Sequence, residues 1–102
     1  MPLQMYMTQT IAQELPGTLQ AKIWEKTLRR AHVDKTDYFH IFNVNMQADT
    51  CHITHTQEAP VYRSTDEIEL NSDKNCTYKI YVIRDETLEG DDIYTMLFAN
   101  EY

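Results

Sequence analysis

Cys51, His52 and His55 lie within one short stretch, with His40 and Cys76 elsewhere in the chain, and thiols and imidazoles are the side chains of a zinc site. The spacing argues against one. On an extended strand neighbours point to opposite faces and each residue advances about 3.3 Å, so Cys51 and His55 stand roughly 13 Å apart. Zinc draws its ligands to about 2.0–2.3 Å. No metal or other cofactor is expected. Glu58 beside His55 or His52 is the one acid–base pairing worth naming, and its spacing selects no reaction. Ser64 and Ser72 lack a triad partner, and there is no phosphate-binding glycine loop. Cys51 and Cys76 have no adjacent base and sit in alternating apolar patterns, so they read as free, structural thiols. The run of Asp85, Glu86, Glu89, Asp91 and Asp92 lacks the spacing of a calcium loop and reads as a solvated turn. These absences lead to the expectation that the protein is not an enzyme.

Charge offers a second chemistry. Lys22, Lys26, Arg29 and Arg30 share a helical surface that could contact phosphate. No aromatic side chain interleaves with them, and a solvated helix face is the common fate of such residues. The chain of 102 residues has a net charge of -7. Basic and acidic residues balance at six each up to Arg63, whereas three basic residues face ten acidic ones from Ser64 onward. A nucleic acid is therefore a disfavoured partner, and a regulator binding one through the basic helix is the alternative reading. No apolar run approaches the roughly 18 residues that span a bilayer. The start, MPLQMYMTQTIAQELPG, has neither a basic leader nor an apolar signal core, so a cytoplasmic location without membrane association is expected.

These side chains have to be positioned by regular elements. Residues 6–11 (YMTQTI) alternate as a half-buried strand does. Pro16 suits a helix start, and over residues 18–32 Leu19, Ile23, Trp24, Thr27, Leu28 and Ala31 form an apolar stripe that ends at the polar run 34–37. Residues 38–46 alternate again, with His40, Phe42, Val44 and Met46 on one side and Asn43 and Asn45 on the other. A short connection leads to residues 51–57, where Cys51, Ile53 and His55 share a face, giving a hairpin. Pro60 makes 59–62 an edge or a bend, and 63–74, with only Ile68 and Leu70 apolar, reads as a loop. Residues 76–83 are apolar on both sides near their end and read as a central strand; an acidic turn then leads to a last strand over 93–99.

The order β-α-β-β-β-β predicts an α+β fold over a single domain, residues 1–102: one antiparallel sheet of four or five strands with one amphipathic helix packed on one face. Barrel closure is disfavoured with two glycines. A lone helix leaves part of a sheet face apolar, since Tyr81, Ile83, Tyr94, Met96 and Phe98 cannot all share a face with Ile80, Val82, Ile93 and Leu97. A partner protein or a second copy of the chain, as a homodimer, is expected to cover it. Tyr62, Tyr81 and Tyr94 are the predicted anchors, because tyrosine gives large contact area at little entropic cost.

Three stretches, YMTQTIAQELPGTLQAKIW, DYFHIFNVNMQADTCHITHTQEAPVY and YKIYVIRDE followed by YTMLFANEY, resemble domain-of-unknown-function family 960 of Gram-positive bacteria and their phages. The ELP-to-Trp24 segment, HTQEAPVY and TMLFANEY carry the likeness in the right order. The resemblance implies a small intracellular protein associated with a mobile element, and it brings no catalytic or binding residues. The sequence thus points to a non-enzymatic interaction domain, an accessory factor of a bacterium or its phage.

Overall fold

The computed structural model describes residues 3–31, 38–47, 49–58, 61–69 and 75–102. Strand β1 (Leu3–Met7) leads into a short helix α1 (Gln9–Glu14) and a long helix α2 (Gly17–Ala31). There follow β2 (Phe39–Gln47), β3 (Thr50–Glu58), β4 (Val61–Glu69), β5 (Cys76–Glu86), β6 (Asp92–Phe98) and a closing 3-10 turn, Ala99–Glu101. The six strands form one sheet in the order β1-β6-β5-β2-β3-β4. β1 runs parallel to β6, and every other neighbouring pair is antiparallel. The fold is α+β as expected, but the sheet is mixed and has six strands instead of four or five, and there are two helices.

The differences have local causes. The strand expected over 6–11 stops at Met7, because the Thr8 side chain accepts a hydrogen bond from the Ile11 backbone N–H and so caps α1. Ile11 is thereby turned into the core. The loop expected over 63–74 is a strand as far as Glu69. Tyr62, Ser64, Asp66 and Ile68 lie on the helix side of β4, and Lys26 of α2 bonds to both Ser64 and Asp66. A strand whose inward side chains are polar and satisfied from above escapes a search for alternating apolar residues. The expected end of α2 at 34–37, the bend at 59–60 and the remainder of the loop, 70–74, lie outside the described residues.

Helix α2 begins one residue earlier than the sequence predicts, with the Pro16 carbonyl accepting from the Gln20 N–H. The Gln20 side-chain amide also donates to the Leu15 and Ile11 carbonyls, fixing the angle between the two helices. Leu19, Ile23 and Thr27 face the sheet and pack with Phe42, Ile53, Ile80, Val82 and Met96. Lys26 is buried with them, which corrects its placement on a solvated basic face: 19, 23, 26 and 30 follow the four-and-three spacing of a single stripe.

Strand β5 takes the central place its two-sided pattern predicts, between β6 and β2. The acidic turn after it closes on Gly90, whose φ of 89° falls in the left-handed region. At the end of β6 the Glu101 carboxylate accepts from the Phe98 N–H and the Thr8 hydroxyl, tying the closing turn to the start of α1. No helix among the described residues is long and apolar enough to cross a membrane.

Candidate functional site

The registers sort the strand residues onto two faces. Phe39 stands opposite Ile83 and Ile41 opposite Tyr81 across β2 and β5, while Tyr81 meets Leu97 and Ile83 meets Thr95 across β5 and β6. These six uncharged side chains are all half-buried and lie on the face away from α1 and α2. The ring of Tyr81 packs edge-on against Phe39, with centroids 4.7 Å apart, and Tyr102 approaches both at 5.6 and 5.7 Å. Tyr38 extends the cluster and is 58% exposed. Together with Ile41, Lys79 and Glu58 these rings enclose a hollow of about 510 Å³. Its two charged residues have opposite signs. Toward β3 and β4 the same face turns polar, with Thr54, Thr56, Thr65 and an exposed His52 3.8 Å from Glu67.

Of the three tyrosines singled out by sequence, only Tyr81 is on this face. Tyr94 is 3% exposed and belongs to the core, where burial pushes its hydroxyl pKa up. Tyr62 lies on the helix side of the edge strand beneath the Arg30 guanidinium, 4.0 Å from the ring centroid. The sequence pointed to neither Phe39 nor Tyr38 nor Tyr102; the alternation of β2 places Phe39 opposite to Phe42, and that was the available signal.

The four cations of α2 are each engaged within the chain. Lys26 bonds to Ser64 and Asp66, Arg30 donates to the Gln57 side chain, and Arg29 and Lys22 pair with Glu25. They do not form one free basic strip. Ser64 and Lys26, 2.8 Å apart, have the composition of a serine–lysine nucleophile pair. Asp66 occupies the same ammonium, so Lys26 works as a donor to two oxygens. The hydrogen bond from Lys26 holds the Asp66 carboxyl below its ordinary range.

Beneath this end of α2 lie His40 and His55, both buried, with a ring nitrogen of each 2.9 Å from the other. His55 stacks on Phe42 at 4.3 Å and meets the edge of Tyr62. Burial, followed by His40, Lys26 and Arg30, lowers its pKa from 6.5 to about 3, so it is neutral at physiological pH. The sequence placed His40 on the side of Phe42, Val44 and Met46 and His55 on the face of Cys51 and Ile53, and the grouping holds for both histidines. Register brings them together: Phe42 is opposite His55, which leaves His40 on the adjoining diagonal. Of the acid–base pairings considered from sequence, Glu58 and His55 are on opposite faces of β3, and Glu58 and His52 share a face but stand six residues, roughly 20 Å, apart along the strand. Among the described residues no three His, Cys, Asp or Glu side chains converge as a metal site. Cys51 and Cys76 are free, and burial raises the Cys51 thiol pKa.

The chain belongs to the family described as Staphylococcal protein of unknown function, domain-of-unknown-function family 960, which matches residues 4–101. No curated protein and no solved structure matches it.

Proposed function

We propose that this member of the staphylococcal family is a small, non-enzymatic protein-interaction domain that docks a protein partner on the open face of its sheet. The observation that carries this reading is the uncharged block of Phe39, Ile41, Tyr81, Ile83, Thr95 and Leu97, with no described helix over it, in a chain of net charge -7. Depletion of charge at the centre, enrichment in aromatic residues and a charged rim are what distinguish an interface from ordinary surface. Tyr81 is the anchor. Its ring is already held between Phe39 and Tyr102, so little side-chain freedom remains to be lost on docking. The complementary partner presents an apolar or aromatic patch of its own, flanked by charges that answer Lys79 and Glu58. A cytoplasmic accessory role, in a bacterium or its phage, completes the reading. Contact with nucleic acid through α2 has less to support it, because Lys26 is enclosed and bonded.

Affinity capture from the native cell tests this, using the wild type, Tyr81→Ser, Ile41→Ser and the control Leu88→Ser, whose apolar side chain is fully exposed at the β5–β6 turn. With thermal midpoints matched, a protein retained by the wild type and the control and lost from both open-face variants supports the proposal. Retention of the same proteins by all four chains overturns it.

A further inference from the structure

The outer edge of β4 is a second surface, separate from the open face. Among the described residues β4 pairs with β3 alone, in a register unbroken from Thr50–Glu69 to Glu58–Val61. Its nine residues contain no proline or bulge; of the devices that ordinarily blunt a free edge it carries charge alone, at Arg63, Asp66, Glu67 and Glu69. The opposite edge, β1, has five residues. A long regular edge presents unpaired N–H and C=O groups as a template for another strand.

We propose that this strand is a second copy of β4, and that the protein dimerises edge to edge, antiparallel, about a two-fold axis at Thr65. The sequence Val61–Glu69 (VYRSTDEIE) is complementary to itself in that register. Tyr62 falls opposite Ile68, an aromatic on a β-branched residue. Arg63 falls opposite Glu67, a cation on an anion. Ser64 meets Asp66, and Thr65 meets Thr65. These four are favourable cross-strand pairings, and the symmetry makes every unlike pair occur twice; at the strand ends Val61 falls opposite Glu69 and adds nothing. Arg63 has no acidic partner in its own chain among the described residues.

Neighbouring registers lose this match. An axis at Ser64 sets Tyr62 against Asp66 and Arg63 against Thr65, whereas an axis at Asp66 sets that carboxylate against itself. The charges on this edge therefore select one alignment. An axis perpendicular to the sheet keeps faces together, so the helices of both copies lie on one side of a continuous twelve-stranded sheet. Both open faces lie on the other side, uncovered.

Light scattering and sedimentation from low to high micromolar concentration test the proposal. The wild type is expected as a concentration-dependent dimer. Arg63→Glu, which creates two like-charge pairs, is expected to weaken it about tenfold or more. Combining Arg63→Glu with Glu67→Arg exchanges the signs and is expected to restore it. Thr65→Cys, in a Cys76→Ser background, is expected to form an intermolecular disulfide under mild oxidation, because facing Cα atoms at the axis are about 4.5–5.5 Å apart, within the span of a disulfide. Tyr81→Ser is expected to leave the dimer intact, which separates this proposal from the open-face reading. A wild type that stays monomeric throughout overturns it. So does a dimer that is indifferent to Arg63→Glu and does not cross-link through Thr65→Cys.

Discussion

Phe42 and Phe39 stand three residues apart on β2, yet one is fully enclosed beneath α2 and the other sits half-exposed among tyrosine rings. The contrast extends to their neighbours on each face. On the helix side several polar groups are enclosed with the apolar core and pair with one another, His40 with His55, Lys26 with Ser64 and Asp66, Arg30 with Gln57, while the buried Nδ1 of His55 has no hydrogen-bond partner among the described residues. On the other side apolar groups are exposed. The buried network fixes where α2 lies over β3 and β4.

Substitutions sharpen that contrast, beginning with the two phenylalanines. Phe42→Ala is expected to cost about 3–5 kcal/mol by urea denaturation, and Phe39→Ala about 1 kcal/mol or less. Equal losses would mean that the open face is as integral to the fold as the covered one. Lys26→Met leaves Asp66 without its cation and Ser64 without its donor, with an expected loss of about 2 kcal/mol. Arg29→Met, on the exposed side of the same helix, is expected to stay within about 0.5 kcal/mol of the wild type.

The histidine pair adds a pH dependence. His55 titrates at about 3 in the folded chain and near 6.5 when exposed, so between those values the unfolded chain holds the extra proton. Its contribution is complete above pH 6.5 and is lost as pH falls, at up to about 1.4 kcal/mol per pH unit. His55→Phe, which keeps an aromatic ring on Phe42, is expected to flatten the stability–pH curve between pH 6.5 and 4 relative to the wild type. An unchanged slope would place the titrating group elsewhere. At the start of α1, Thr8→Ala is expected to lower the thermal midpoint by the equivalent of about 1 kcal/mol.

Local periodicity made most of this architecture legible. The stripe through Leu19, Ile23 and Thr27 marked α2, and alternation marked β2, β3, β5 and β6. What escaped depends on partners distant in the chain. β4 is a strand because β3 pairs with it and because Lys26 satisfies its inward oxygens. β1 ends at Met7 because one hydroxyl caps a helix whose β-branched residues favour strand in isolation. The same dependence governed the site. Tyr81 was legible as an exposed aromatic on a two-sided strand, but Tyr94, one of the same set, is in the core because β6 presents it toward the helices. Tyr102 joins the cluster only through the turn that follows Phe98.

Hydroxyl-radical footprinting of the protein in native cell lysate, compared with the purified chain, addresses the open face directly. Phe39, Tyr81 and Tyr102 are expected to lose reactivity in the lysate, while Leu88 at the β5–β6 turn labels equally in both. Undiminished labelling of Tyr81 and Phe39 in the lysate would contradict the assignment of that face to a partner.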